Sequence, residues 1–346
     1  MAAKRLTQRD IAHLAGVSQA TVSLVLNGTA DDTRRIPEHT RTRIQEVIAR
    51  TGYVADPVAR RMVKGRNNIL GVFTYEPAFP SAQADFFAPF LFGIEEAAHE
   101  RGYDLLLMTA AARDSDGQKK IFDETNRLRL ADGCLVLGRN FDNAELTRLV
   151  GGDFPFVAVG RRDDAGGPVP YVGANYAAAT GDLVALALSH GHRALGYVGP
   201  SEGAESTVDR WRGFSEALEG HGTLARHWPD VGSEPRAVLK AMREAGATVI
   251  FFTELADAIP FRRAAIAEGL NVPGDVSVVV LGSHLRPGAT GTSFTTYAVP
   301  REDMGRRATL ALVDQLEGRD GVEQTLLSCE RIEGETLGPI KTMSEL

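Results

Sequence analysis

The sequence is poor in cysteine and has no long uncharged apolar run. Only two of its 346 residues are cysteine, Cys134 and Cys329, and neither has the spacing of a metal ligand. This excludes a disulfide framework and a zinc module, and indicates reduced packing residues. The N-terminus is polar and charged, unlike a signal peptide, and nowhere do about 18 uncharged apolar residues run together. We therefore expect a cytoplasmic protein with no membrane partner.

The sequence also lacks the motifs of common enzymes. It contains no P-loop, no dinucleotide-binding glycine fingerprint and no metal-ligand cluster. Residues 199–203 match the G-x-S-x-G motif of serine hydrolases. However, Pro200 has no amide hydrogen, and the next helical pattern begins several residues too late for the turn that activates a serine. We predict no catalytic residue, no cofactor and no metal, and interpret the match as a loop at a cleft.

Charge is distributed unevenly along the chain. Residues 1–66 contain twelve Lys/Arg and six Asp/Glu, a net charge of +6, whereas the whole chain carries −7, so residues 67–346 carry −13. A basic segment on an acidic body concentrates affinity for a polyanion in that segment. A merely soluble surface is the alternative interpretation.

Residues 7–27 contain two short helical patterns separated by a tight turn. Thr7 and Asp10 have the spacing of a capping box, with Ile11, Ala12 and Leu14 at apolar positions. Gly16 permits a left-handed exit, and Ser18 can cap a second helix. Such a pair is a helix-turn-helix, and the short, uncharged side chains of its second helix can approach the major groove. A packed helical hairpin within a larger fold is the alternative.

Two more helical patterns follow. Pro37 marks the start of a third amphipathic helix, which ends before Gly52. Asp56, Pro57 and Gly65 then delimit a helix of barely two turns, which is too short to be stable alone. We expect this helix to fold only against a partner.

Together, the segments LTQRDIAHLAGVSQATVSLVLN, IPEHTR and GYVADPVARRM resemble the LacI/GalR family of bacterial transcription regulators. The resemblance implies a repressor that binds a palindromic or near-palindromic operator in double-stranded DNA as a homodimer, at the nucleoid. It also implies that the short helix is a hinge helix that orders on DNA and inserts Met62 into the minor groove. The residues assigned to DNA are Thr7, Ser18, Gln19, Ala20, Thr21, Ser23, Asn27, Arg34, Arg35, Val58, Ala59, Arg60, Arg61 and Met62.

The head departs from the family pattern at two places. Leu24 stands where family members commonly carry Arg, and it cannot make a bidentate contact with guanine, so the half-site should differ from common family operators. The loop before Pro37 is also longer than usual. Arg34 and Arg35 either reach phosphates from this loop or lie on a solvated surface.

From Asn68 onward, β-rich runs alternate with helical patterns, in two series. The predicted helices include one around Gln118 to Arg129 and one around Ile259 to Glu268. This alternation predicts parallel sheets covered by helices. By resemblance, the body is a two-lobed, periplasmic-binding-protein-like α/β core with three crossovers, near residues 175, 295 and 325, behind an all-α helix-turn-helix head and hinge helix. The expected boundaries are 1–55 for the head, 56–67 for the hinge and linker, and 68–346 for the core, with lobe 1 at about 68–174 and 296–324 and lobe 2 at about 175–295 and 325–346.

Ligands in open α/β sheets lie beyond the carboxyl ends of the strands, so a small-molecule effector is expected in loops between the lobes. The best candidate is Arg210, because the family's ligand-binding Arg lies three residues before a Gly, as Arg210 lies before Gly213; a structural ion pair is the alternative. Phe86 and Phe87 either stack on the effector or belong to the core. The full set of effector candidates is Phe86, Phe87, Arg161, Ser206, Arg210, Thr253, Glu254, Asp257 and Ser283.

Two acidic sugar ligands of the family are missing. Gly160 and Ser283 stand where relatives hold Asp, and Thr253 and Glu254 stand where they hold Asn and Asp; Asp257 can compensate. The effector is therefore expected to be sugar-like, an unusual sugar, a non-sugar, or absent. The remaining alternative is a small-molecule-binding transport protein. Such a protein would share the body but lack the helix-turn-helix head, so the head argues against it.

Overall fold

The computed structural model describes residues 6–27, 34–53, 66–76, 84–109, 119–122, 127–229, 234–282, 291–319 and 323–340. The chain forms two compact units, residues 1–69 and residues 70–346. Each is described on its own, as the head and the core.

The head contains the helix-turn-helix that the sequence predicts. In the capping box, the amide of Asp10 donates to Thr7 Oγ1 at 3.3 Å, and the amide of Thr7 donates to Asp10 Oδ2 at 2.7 Å. Gly16 ends the first helix with a φ of 62°, in the left-handed region. The helices of the head are α1 (Gln8–Ala15), α2 (Gln19–Asn27) and α3 (Glu38–Thr51).

The three helices bury a small common core. Leu14, which the sequence places among the apolar positions of α1, is instead 48% exposed. At about 100° per residue, the stripe formed by Ile11, Ala12 and Ala15 faces roughly a quarter turn away from Leu14, so Ala15 takes the inner position. The buried residues of this common core are Ile11, Ala12, Ala15, Val22, Ile44 and Val47.

Lobe 1 of the core is built on a six-stranded sheet with the order β11-β5-β4-β3-β1-β2. The pairings of β1 with β3, β3 with β4, β4 with β5 and β5 with β11 are all parallel. Its strands are β1 (Ile69–Thr74), β2 (Asp104–Met108), β3 (Gly133–Leu137), β4 (Phe156–Val159), β5 (Tyr171–Ala174) and β11 (Gln324–Leu327), and its helices are α4 (Ala84–Glu100), α5 (Asn143–Val150) and α10 (Arg301–Leu316).

Lobe 2 has a four-stranded parallel sheet with the order β7-β6-β8-β9, and beside it a short antiparallel pair, β10 with β12. The sequence expectation of two lobes with parallel sheets is confirmed. Its strands are β6 (Ala194–Val198), β7 (Leu224–Trp228), β8 (Val249–Phe252), β9 (Ser277–Val280), β10 (Thr296–Ala298) and β12 (Glu330–Ile332), and its helices are α6 (Tyr176–Ser189), α7 (Glu205–Glu216), α8 (Pro235–Ala245) and α9 (Leu255–Ala267).

The chain passes between the lobes where a strand of one is followed directly by an element of the other. These connections lie between β5 and α6, between β10 and α10, and between β11 and β12. The strands of both sheets therefore bring their carboxyl ends toward the boundary between the lobes, where short connections can hold side chains from each lobe.

Two details differ from the sequence expectation. The helix expected around Gln118 to Arg129 is wrong within the described residues: 119–122 are not helical, and Arg127–Leu130 form a single 3-10 turn. The helix expected from Ile259 starts earlier, at Leu255, and therefore contains Pro260, whose missing amide hydrogen removes one hydrogen bond from the helix. No described helix is long and apolar enough to span a bilayer.

Two glycines set the packing of α4 on α10 in lobe 1. A Cβ at Gly93 would lie 1.9 Å from the backbone oxygen of Glu302, and a Cβ at Gly305 would lie 2.2 Å from that of Phe90. Each glycine thus lets the other helix approach its backbone closely, and this fixes the start of α10 against α4.

Candidate functional site

The second helix of the head presents a small polar surface. Ser18, Gln19 and Ala20 are exposed, whereas Thr21 and Ser23 are half-buried. Ser18 Oγ accepts a hydrogen bond from the amide of Thr21 at 3.1 Å, so it caps α2 as the sequence predicts. These short side chains leave the backbone of α2 accessible to a groove of nucleic acid.

The other predicted DNA contacts fall into three groups. Arg34 and Arg35 are exposed, and Asn27 is the last residue of α2. The hydroxyl of Thr7 donates to Asp10 Oδ2 at 2.7 Å, so it serves the helix cap. The hinge residues lie outside the described part of the chain; they are Val58, Ala59, Arg60, Arg61 and Met62.

The core contains a cavity of about 100 Å³ at the boundary between its lobes. Both lobes contribute, through the loops that follow their strands and through the first turns of α6, α7 and α10. Its lining comprises Phe86, Phe90, Gly138, Arg139, Val159, Gly160, Arg161, Arg162, Tyr176, Ala204, Ser206, Thr207, Arg210, Glu254, Gly282, Arg301 and Met304.

Five of the predicted effector residues line this cavity, and three do not. Phe87 is 2% exposed and packs in the core of lobe 1, with its ring edge to face with that of Phe86 at 4.9 Å. Thr253 packs against Gly199, and Asp257 lies on α9 outside the lining. Ser283 lies outside the described residues. The five in the lining are Phe86, Arg161, Ser206, Arg210 and Glu254.

Arg210 is held by neutral groups. Its Nε donates to the carbonyl oxygen of Leu281 at 2.9 Å and to the hydroxyl of Tyr297 at 3.1 Å, and its Nη1 donates to the carbonyl oxygen of Ser206 at 2.9 Å. The guanidinium lies 4.0 Å from the ring centre of Tyr176. Burial raises the pKa of Tyr297 to about 12, so this phenol stays neutral and does not offset the charge of Arg210.

Arg161 and Arg162 follow β4 in lobe 1 and reach acidic groups on α7 in lobe 2. Arg161 Nε lies 2.7 Å from Asp209 Oδ2, and Arg162 Nη1 lies 2.5 Å from Glu205 Oε2. Arg162 also donates to the carbonyl oxygen of Gly138 at 2.6 Å, and its burial lowers the pKa of its guanidinium. The two ion pairs connect the lobes beside the cavity.

Several residues of the lining were not predicted from the sequence. Arg139 is the second residue after β3 and Arg162 is the third after β4, so their position in the loop after a buried strand was a signal that could have found them. Arg301 begins α10 after Pro300, and Tyr176 begins α6. Nothing in the local sequence shows that these two helix starts face one cavity, since that depends on how the lobes are connected.

The hydrolase-like segment has no catalytic geometry. Ser201 follows β6, but α7 begins four residues later, at Glu205, in agreement with the late start of the helical pattern in the sequence. A nucleophile elbow needs a helix that starts directly at the serine. The segment is a loop that leads to the cavity.

The geometry defines a class: an N-terminal helix-turn-helix followed by two α/β lobes with parallel sheets, with a cavity between the lobes. Residues 7–56 match the model of bacterial regulatory proteins of the lacI family, and residues 184–337 match that of a periplasmic binding protein-like domain.

Relatives along nearly the whole chain agree. The chain is 26% identical over 331 residues to the HTH-type transcriptional regulator PtxS of Pseudomonas putida, covering 93% of each chain. It is also 26% identical over 337 residues to the HTH-type transcriptional repressor CytR of Escherichia coli, covering 94% of each. In fold, it is similar to the lac repressor dimer bound to operator and the anti-inducer ONPF, with a TM-score of 0.77 at 18% identity, over 97% of this chain and 100% of that one.

This chain belongs to the LacI family: it is a DNA-binding transcriptional regulator with a periplasmic-binding-protein-like core. Regulators of this family are not enzymes, which agrees with the loop geometry at Ser201.

Proposed function

We propose that this protein is a repressor that binds a palindromic or near-palindromic operator as a homodimer, and that a small molecule bound between the lobes of its core alters operator affinity. The observation that carries the proposal is the presence, in one chain, of an exposed polar helix in a helix-turn-helix and a lined cavity between two lobes. CytR, a repressor by name, and the lac repressor dimer on its operator support the same function.

The assignment of DNA contacts starts from α2. Gln19 and Ala20 are exposed near its N-terminal end, where a recognition helix contacts base edges. Ser18, Thr21, Ser23 and Asn27 are assigned to phosphates. Leu24, 42% exposed on the same helix, can contact a thymine methyl group but cannot donate to guanine. We therefore expect a half-site that differs from those read by family members with Arg at this position.

Replacing Gln19 with Ala should relax base preference at one position of each half-site, because an amide side chain pairs specifically with a base edge. The salt dependence of binding should stay nearly unchanged. Binding of a randomised half-site library, sequenced at two salt concentrations, measures both effects. Arg34→Gln is the control, since loss of a phosphate contact lowers affinity on all sequences and flattens the salt slope by about one ion. Equal weakening on every sequence by Gln19→Ala would remove Gln19 from base reading.

Lobe 1 offers a surface for the dimer. Phe92 on α4 is 61% exposed and Leu105 on the neighbouring strand β2 is 38% exposed. Large exposed apolar groups on adjacent elements are typical of protein interfaces. Phe92→Glu should convert the dimer into a monomer in sedimentation equilibrium, with an unchanged circular dichroism spectrum. A Phe92→Glu protein that stays dimeric would place the interface elsewhere.

The cavity gives the regulation a physical basis. It is lined from both lobes, so a ligand that contacts both binds one lobe arrangement more tightly than another. Operator affinity then changes by at most the ratio of the ligand's affinities for the two arrangements.

The test is selection of genomic fragments by the purified full-length protein, followed by sequencing, with scrambled fragments as competitors. A shared near-palindromic sequence bound with a 2:1 protein-to-site stoichiometry is the expected result. Absence of any preference over scrambled competitor, with and without small molecules, would contradict the proposal.

A further inference from the structure

The cavity between the lobes is rich in positive charge. Among the ionisable side chains of its lining there is one acid, Glu254, against five arginines. The arginines are Arg139, Arg161, Arg162, Arg210 and Arg301.

Three of these arginines have carboxylate partners. Arg161 and Arg162 pair with Asp209 and Glu205, and Arg139 Nη1 lies 3.8 Å from Glu254 Oε1. The first two pairs are largely buried, whereas the third is half-exposed. The remaining charge of the cavity therefore comes from two arginines.

Arg210 and Arg301 have no ion-pair partner among the described residues. Arg210 is bound by carbonyl oxygens and a neutral phenol, as described above. The buried Nε of Arg301 has no hydrogen-bond partner in the structure. Its burial lowers the pKa of Arg301, and the positive charges of Arg210 and Arg139 act in the same direction. Guanidinium groups nevertheless stay protonated in proteins, so two uncompensated cations face one cavity.

Two helix starts add to this potential. Helix α7 begins beside Ala204, which offers no side-chain cap, and Ala204, Ser206 and Thr207 all line the cavity. Arg301 is the first residue of α10, whose preceding residue Pro300 also makes no side-chain cap. The uncapped amides at a helix N-terminus attract anions and disfavour a nearby cation. Glu302 and Asp303 in the first turn of α10 offset part of this cost, but the guanidinium of Arg301 still faces the like charge of Arg210 across the cavity.

We propose that the effector of this regulator is a small metabolite with an oxyanion group, a carboxylate or a phosphate, bound between Arg210 and Arg301. The proposal rests on the regulatory function proposed above and specifies its ligand class. The planar fork of each guanidinium matches two oxygens of such a group, and the orphaned Nε of Arg301 supplies a further donor. A neutral sugar would leave both charges uncompensated.

The position of the two arginines gives the anion a role in lobe arrangement. Arg301 belongs to lobe 1 through α10, and Arg210 belongs to lobe 2 through α7. A bound oxyanion would join the lobes where the protein has no ion pair of its own. It would therefore bind more tightly to the arrangement in which the lobes are close. Regulation requires such a difference in affinity between two arrangements.

Thermal denaturation of the full-length protein tests the site without knowledge of the natural ligand or operator. The melting temperature is compared in sodium phosphate and in sodium chloride at equal ionic strength, with inorganic phosphate as the probe. Phosphate should stabilise the wild type, as a ligand of the native state does. Arg301→Gln should lose this shift, with at least about a tenfold rise in the phosphate dissociation constant, the loss expected for charge-assisted hydrogen bonds.

Two comparisons make this result specific. Arg263→Gln removes an exposed cation from α9 outside the cavity and should keep the full phosphate shift. In chloride, Arg301→Gln should melt no lower than the wild type, because it removes a cation that faces Arg210 and a helix N-terminus. A lower melting temperature in chloride, or an equal phosphate shift in wild type and Arg301→Gln, would overturn the proposal.

A matched trio of D-glucose, D-gluconate and D-glucose 6-phosphate then separates the two oxyanion sources. Both charged members should bind more tightly than glucose by calorimetry, and the tighter of the two identifies carboxylate or phosphate. Tighter binding of glucose would contradict an anion site. Since none of these measurements involves DNA, failure of operator binding would leave their outcome intact.

Discussion

The two lobes carry opposite charge where they meet in and beside the cavity. Lobe 1 contributes four arginines, at positions 139, 161, 162 and 301, whereas lobe 2 contributes the acids Glu205, Asp209 and Glu254. Arg210 is the exception, because it places a cation on the acidic side. The charges of the two lobes are therefore complementary at three places and mismatched at Arg210. A bound anion adds the most binding energy at that mismatch.

The most buried of the complementary pairs should carry the largest effect on stability. Asp209 is 2% exposed, and it pairs with Arg161 at 2.7 Å and with Arg212 at 3.0 Å. Asp209→Asn leaves the largely buried Arg161 without this partner and should lower the free energy of unfolding by about 3 kcal/mol. Urea denaturation of the full-length protein measures the change.

The control for this variant is the other carboxylate that pairs with Arg161. Asp163 also pairs with Arg161, at 2.5 Å, but its side chain is 77% exposed. Asp163→Asn should therefore change the free energy of unfolding by less than about 0.5 kcal/mol. Similar losses in the two variants would show that burial does not decide the strength of pairing between the lobes.

Low pH should destabilise the protein through His192 in lobe 2. This histidine of lobe 2 is 1% exposed, its ring nitrogens bond to Thr248 Oγ1 and to the carbonyl oxygen of Gly338, and burial lowers its pKa. Below the unfolded-state pKa of about 6.5, the unfolded chain takes up the proton first, so stability falls as the pH falls from 7 toward 5.

The loss attributable to His192 should not exceed about 1.4 kcal/mol per pH unit, the limit for one proton. His192→Gln should remove that part of the slope, and denaturation series at pH 7, 6 and 5 compare the variant with the wild type. Parallel slopes would show that His192 does not titrate between the two states.

The smallest effect on stability is expected at the exposed pair of Arg139 and Glu254. Their side chains are 45% and 41% exposed, so Glu254→Gln should change the free energy of unfolding by less than about 0.5 kcal/mol. It also removes the acid of the lining, so affinity for phosphate should rise by roughly fivefold, the effect of one unit charge at about 4 Å in water. Calorimetry with phosphate checks this, and unchanged affinity would place the anion away from Glu254.

Local chemistry made the head predictable from the sequence. The capping box of Thr7 and Asp10, the left-handed Gly16 and the cap at Ser18 involve residues at most four positions apart, so their geometry follows from spacing. The exposure of Leu14 could not be predicted from spacing, because the face of α1 that is buried depends on where α3 packs against it.

The strands of the core were predictable where they form apolar runs in the sequence and not where polar residues interrupt them. Runs such as β3 and β8 are apolar throughout and stand out in the sequence. Strand β7, Leu224–Trp228, contains Arg and His and is largely exposed at the sheet edge, so it carries no apolar signal and was missed.

The candidate site was predictable only in part, for a reason of distance along the chain. Arg161 and Arg210 could be proposed from nearby motifs. The pairing of Arg162 with Glu205 spans 43 residues, and the common cavity of Arg210 and Arg301 depends on the connections between the lobes. Spacing alone cannot show such encounters.

The close contact of α4 and α10 at their glycines matters for any attempt to redesign this regulator for a new ligand. Gly93 and Gly305 do not line the cavity, yet they hold the helices that carry Phe86, Phe90 and Arg301 in place. Mutant libraries that vary the lining should leave both glycines unchanged. A single methyl group at either position would displace α4 from α10, and with them the lining residues that these helices carry.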